Sequence, residues 1–170
     1  MGYTPRTPKP YPRPQTRARM FTDGSYSQLP DPVRQSAFYD SVTLKRGLAW
    51  IVDSIIVAIL VFIALAFTAF LGAFFFFAFW MVISFAYRVV TIANGSATWG
   101  MRLMAIEFRD WRGEKLDFGQ AFMHTLGYTL SMSFVLPQIA SIILMMTGDR
   151  GQGLTDLVLG TAAINRSARM

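Results

Sequence analysis

Between Gly47 and Ile92 the chain runs for 46 residues with only two charged side chains, Asp53 and Arg88. An ionisable group in the middle of an apolar helix costs at least about 2.5 to 3.5 kcal/mol on membrane-insertion scales, so each needs a physical reason to be there. Asp53 is the clearer case. Its side chain is short and sits about two turns into the helix, so it must be neutral, paired or in contact with water. Arg46 precedes it by seven residues, and at about 100° per residue the two project from nearly the same helix face, about 10.5 Å apart along the axis. Arg46 is long enough to reach the headgroups. Arg88, roughly 7 Å in from the end of the returning helix, lies at a depth comparable to that of Asp53 and is its natural partner.

Two chemistries suit these groups, and the residues leave both open. One is an internal ion pair that fixes helix packing and orientation. The other is an ion or proton relay in which Asp53 titrates and Arg46 and Arg88 tune its proton affinity. His124, the one histidine, lies about seven residues into a later apolar zone, near Tyr128 on the same helix side. It reads as a proton shuttle or as a hydrogen-bonded packing residue, with no carboxylate close to it in sequence.

Other chemistry is excluded by what is missing. With no cysteine and a single histidine there is no disulfide framework, no thiolate metal site and no cluster for zinc or haem, so neither a metal nor a cofactor is expected. No G-x-S-x-G elbow, H-E-x-x-H helix or paired catalytic carboxylates appear, and the expectation is that the protein is not an enzyme. Gly95 to Gly100 has the glycine spacing of a phosphate loop, but Met101 stands where the lysine would be and no strand precedes it. The net charge of +6 and a pI near 10.1 would suit nucleic acid if spread over a folded surface. Instead, eight of the sixteen Lys and Arg residues precede Gly47, and no nucleic-acid partner is expected.

The elements that must hold these groups are long and apolar. Hydrophobic residues make up 53% of the 170, too oily for an ordinary soluble domain. One helix over Gly47 to Ile92 would be roughly 69 Å long, about twice a bilayer, so the chain must turn back near Gly72. The pattern predicts helices over about Lys45 to Phe67 and Ala73 to Ala93, with a left-handed stop at Asn94-Gly95. Phe70, Phe74 to Phe77, Phe79 and Trp80 cover the whole helix circumference, which suits lipid contact. A third zone, Phe118 to Thr147, carries no Asp, Glu, Lys or Arg. Asp117 and Gln120 form an N-cap signature at its start, and Pro137 interrupts it. It is one kinked span or a two-helix fold-back at Leu136-Pro137, and the basic C-terminal segment favours the fold-back.

Leu103 to Phe108, a polar turn around Gly113, and Leu116 read as a short β hairpin at the membrane surface. The run Leu154 to Ile164 is too short to span and ends in β-tolerant residues that can pair with that hairpin. The fold class is therefore all-α transmembrane, with three long apolar zones and a small β hairpin at the cytoplasmic surface. Residues 1–36 form a basic, Pro-rich tail, because Met1 to Pro32 holds seven of the eight prolines and almost no aliphatic side chains. It is expected to be a disordered cytoplasmic segment and not a signal peptide. It serves as a solvated spacer, or Arg6, Lys9, Arg13, Arg17 and Arg19 rest on anionic lipid.

Four stretches in order resemble the RDD family of small bacterial membrane proteins, over about Val42 to Asn165. Lys45 to Asp53 carries an arginine at the helix start and an aspartate within the helix. Asn94 to Leu103 is similar to the family's small-residue turn, Gly113 to Ala121 to its lead-in to the third helix, and Arg150 to Thr161 to its closing segment with a second aspartate, Asp156. Met101 stands where many members have Lys, and Thr155 where many have His. The resemblance implies a multi-pass inner-membrane protein, with transport suspected and sodium/proton exchange associated with some members; the tail and the cationic bias of the C-terminal segment lead to the expectation that both termini are cytoplasmic. The resemblance divides the chain into the tail, an RDD-like domain at 37–165 and a C-terminal tail at 166–170. It also implies that Asp156 returns to the cytoplasmic face, where Arg46, Asp53, Arg88 and Asp156 form one polar cluster. Two functions follow as expectations. One is a small transporter of cations or protons, a homo-oligomer because few helices enclose little pathway. The other is a membrane accessory or scaffold that binds a partner protein.

Overall fold

The computed structural model describes residues 27–68 and 71–166. The basic tail as far as residue 26, Phe70 in the aromatic run, and the C-terminal tail beyond residue 166 lie outside the described residues. Of the remaining stretch before α1, Leu29 is buried in a small cluster with Tyr39, Ala162 and Ile164, and the Tyr39 hydroxyl donates to Pro30 O.

Helix α1 spans Val42–Phe67. Its 26 residues make it about 39 Å long, more than a hydrocarbon core of about 30 Å. Ala49, Asp53, Val57, Val61 and Leu65 are its buried row, four residues apart, which keeps them on one face. A short 3-10 turn over Leu71–Phe75 contains Gly72 and leads into α2, Phe76–Ala93. The later half of the α1 row packs on Tyr87, Phe79, Trp80 and Ile83 of α2, while Phe74 to Phe77 stay exposed. With the residues leading into them, α1 and α2 are long and apolar enough to cross a membrane. The left-handed residue after α2 is Ser96 rather than Asn94 or Gly95. Its amide donates to Ile92 O and its hydroxyl to Phe108 O, so a polar side chain holds the turn that glycine was expected to make.

The short helix α3, Trp99–Leu103, is capped by the Thr98 hydroxyl and lies against α1. A Cβ at Gly100 would overlap the Ala49 carbonyl oxygen, so glycine is what permits this close approach. Strand β1, Ile106–Arg109, follows. Its partner is not the segment around Leu116, and the expected local hairpin does not form. Asp110 closes the intervening turn by accepting from the Arg112 and Glu114 amides, and the Leu116 amide donates to the Ser96 hydroxyl. That segment is therefore committed to a turn and to the start of the next helix. The open edge of β1 is instead filled by β2, Ala162–Asn165, antiparallel with Ile106 opposite Asn165 and Arg109 opposite Ala162.

Helices α4, Phe118–Ser133, and α5, Val135–Thr147, form the third apolar zone. The predicted capping box at Asp117 and Gln120 is present in both directions. The two arms bend by 116° around Phe134, a turning back rather than a kink. Together they pass as one more span by length and composition, broken or re-entrant. Pro137 is not at the break. It sits in the first turn of α5, where its missing N–H leaves no helical bond unmade. The Thr43 hydroxyl donates to Met145 O and brings the end of α5 back beside the start of α1. Helix α6, Leu154–Leu159, then leads into β2, whose Asn165 accepts from Lys45 Nζ and donates to Ala37 O and Asp40 O. The small sheet, α3, α6 and the start of α1 thus gather at one end of the bundle.

Replacing Asp117 by Ala removes the side-chain acceptor at the start of α4. The variant should lose about 1 kcal/mol, seen as a lower unfolding temperature in detergent at unchanged helix content.

Candidate functional site

Asp53 lies where the α1 row meets α3, and it is 1% exposed. Its Oδ1 accepts from the Tyr87 hydroxyl at 2.7 Å and the Gly100 amide at 2.8 Å, and its Oδ2 accepts from the Thr98 hydroxyl at 2.6 Å. Arg88 Nη1 approaches Oδ2 only to 3.9 Å. The expected Asp53 and Arg88 pair therefore exists as a longer charge contact, while neutral donors make the short bonds. Arg46 goes elsewhere. Although it shares a helix face with Asp53, its Nη1 donates to Asp156 Oδ2 at 2.5 Å and to Gly151 O at 3.1 Å. A separation of about 10.5 Å along the helix is too far for one ion pair, and α6 presents a nearer carboxylate.

Asp156 forms the second centre. Its Oδ1 lies 2.8 Å from His124 Nε2 and accepts from the Thr161 hydroxyl, and its Oδ2 also accepts from the Gly153 amide. Burial alone would push this carboxyl up, but the Arg46 guanidinium, the His124 ring and the Gly153 amide together hold it well below the ordinary carboxylate range. The His124 ring packs on Phe108, with centroids 4.3 Å apart, and Arg46 also covers that ring. The absence of a carboxylate near His124 in sequence is thus misleading, because its partner stands 32 residues away and arrives through the bend at Phe134.

Both centres open on one cavity of about 450 Å³ between α1, α4 and α5. Its lining includes the ionisable Arg46, Asp53, Arg88, His124 and Asp156 and the apolar Trp50, Ile142, Met145 and Met146. All four residues of the expected cluster therefore border one space, as two ion-paired centres rather than one. Tyr87, Thr98 and Gly100 were not foreseen as partners of Asp53. The small-residue turn Asn94 to Leu103 was the signal for the last two. Met101 and Thr155, the departures noted in the sequence, also line the cavity. Among the described residues no group of three or more His, Asp or Glu side chains is arranged to hold a metal.

A helical chain with long apolar helices, a bent helix pair and buried carboxylates at one end has the make-up of a multi-pass membrane protein. A family model described as the RDD family matches residues 41–160, and the chain belongs to that family. Neither the curated proteins nor the solved structures give a match.

Because the Asp156 carboxyl is held down in the folded protein, it contributes stability above the unfolded carboxylate value of about 4 and loses it as pH falls further. Asp156→Asn leaves Arg46 without its counter-charge and should cost roughly 3 kcal/mol at neutral pH. Unfolding followed across pH should show the gap between wild type and variant narrowing below about pH 4.

Proposed function

We propose that this protein is a multi-pass inner-membrane transporter that exchanges protons or small cations through the cavity bounded by Arg46, Asp53, Arg88 and Asp156. The observation that carries the reading is the contact between His124 and Asp156 on the wall of that cavity, 2.8 Å apart and both buried. Imidazole is the side chain best suited to gain and lose a proton near neutral pH, and ionisable groups within a membrane bundle usually mark an ion or proton pathway.

The two centres divide the work in this reading. Asp53 has both oxygens engaged by Tyr87, Thr98 and Gly100, so it holds α1, α2 and α3 in register. His124 and Asp156 handle the proton, with Arg46 keeping the carboxylate charged when the imidazole is neutral. The chain on its own encloses a short pathway, and assembly of several copies lengthens it. Both termini on the cytoplasmic side suit this topology.

Purified protein in liposomes should support proton or sodium flux, and His124→Gln should abolish most of it while the unfolding temperature stays within a few degrees of wild type. Undiminished flux in the variant would remove His124 from the pathway. No flux from wild type, together with a protein partner that co-purifies stoichiometrically, would favour the scaffold function instead.

A further inference from the structure

The guanidinium of Arg88 is the least satisfied charged group around the cavity. It is 12% exposed, yet among the described residues it makes no hydrogen bond, and Nε is buried without a partner. Its contacts are the 3.9 Å approach to Asp53 and a stack on the Tyr128 ring, 4.3 Å from the centroid. Asp53 has little left to offer, since three shorter bonds already occupy its oxygens. A second unpartnered polar atom belongs to a residue that lines the same space. Thr125 Oγ1, on a residue 1% exposed and one turn before Tyr128 on α4, is buried with no hydrogen-bond partner among the described residues. Buried donors left unpaired cost roughly 1 to 3 kcal/mol each, more when charged, so two on one cavity call for something that accepts from both.

The rest of the lining says what else that acceptor carries. Ile142, Met145 and Met146 line the cavity, and Met146 is 74% and Ile142 43% exposed. Ile142 and Met146 thus both line the cavity and remain exposed, so apolar side chains stand at its edge. Its volume falls within the range of roughly 300 to 1,000 Å³ found for small-molecule sites, which pair an apolar wall with a few placed polar groups.

We infer that the cavity binds a single-chain anionic amphiphile, whose carboxylate or phosphate head accepts from Arg88 and Thr125 and whose alkyl chain lies along Ile142, Met145 and Met146. A planar guanidinium is suited to either head, since both present paired oxygens. The inference concerns the same cavity as proton exchange but does not rest on it, because it is argued from Arg88 and Thr125 and not from the contact between His124 and Asp156.

The test uses the full chain in neutral detergent and a long-chain fatty acid brominated on its tail. Trp50 lines the cavity, so a bound tail should quench its fluorescence, and Trp50→Phe identifies that signal. The acid should bind at least tenfold more tightly than the brominated alcohol of the same length. Arg88→Gln should erase that difference, Arg88→Lys should restore part of it, and Thr125→Val should weaken the acid severalfold. An alkyl phosphate replacing the acid in competition distinguishes the two heads. The inference is overturned if acid and alcohol bind alike, or if inorganic phosphate competes as well as the amphiphile. It is overturned too if Thr125→Val and a folded Arg88→Gln both bind the acid as wild type does. Loss of flux in His124→Gln with acid binding retained would separate this site from the proton pathway.

Discussion

A carboxylate taken out of water must have its oxygens met by donors, and this requirement organises the polar end of the molecule. Asp53 and Asp156 each satisfy it by drawing a short element onto the long helix α1. Asp53 takes the Thr98 hydroxyl and Gly100 amide at the start of α3 and the Tyr87 hydroxyl of α2. Asp156 takes Arg46 of α1 and His124 of α4. Each carboxylate therefore joins three elements, and small residues let those elements approach. Gly100 is the clearest instance, lying directly on the Ala49 carbonyl.

The same requirement explains why the charges end up unevenly matched. Asp53 is served mainly by neutral donors, which leaves Arg88 near it without a short bond, stacked on Tyr128 and facing the cavity. Arg46, by contrast, is committed to Asp156 and the Gly151 carbonyl. Two ion pairs that look symmetrical in composition are thus different in chemistry. One is a tight bond with a histidine beside it, and the other is a loose contact beside an apolar space.

The bend at Phe134 is what makes the cavity. A straight helix over residues 118–147 would carry its C-terminal half away from α1, whereas the 116° bend returns it so that the Thr43 hydroxyl donates to Met145 O and the Ser131 hydroxyl to Gln138 Oε1. The returning arm supplies Ile142, Met145 and Met146 to the lining, together with Gln138 and Ser141. It also delivers the chain to α6 and β2, so the sheet closes between segments far apart in sequence.

Much of the frame was legible in the residues. Apolar run lengths set two long helices and a third zone, the box at Asp117 and Gln120 marked where α4 begins, and the ordered motifs pointed to the family. These are local signals, each carried by neighbours within a few turns of chain. Pairing was not local. Helical spacing put Arg46 and Asp53 on one face but could not show that α6 brings a closer carboxylate; the β-tolerant C-terminal run did point to the partner of β1, but not to its register or to the loss of the local hairpin. The position of the bend escaped as well, because Pro137 is tolerated in a first turn and Phe134 carries no breaking signal. Residue types and run lengths were enough to say which groups must be buried and which helices are long enough to bury them. Which donor reaches which carboxylate emerged only on folding, since a side chain bonds the nearest suitable group in space and nearness is set by how the helices turn back.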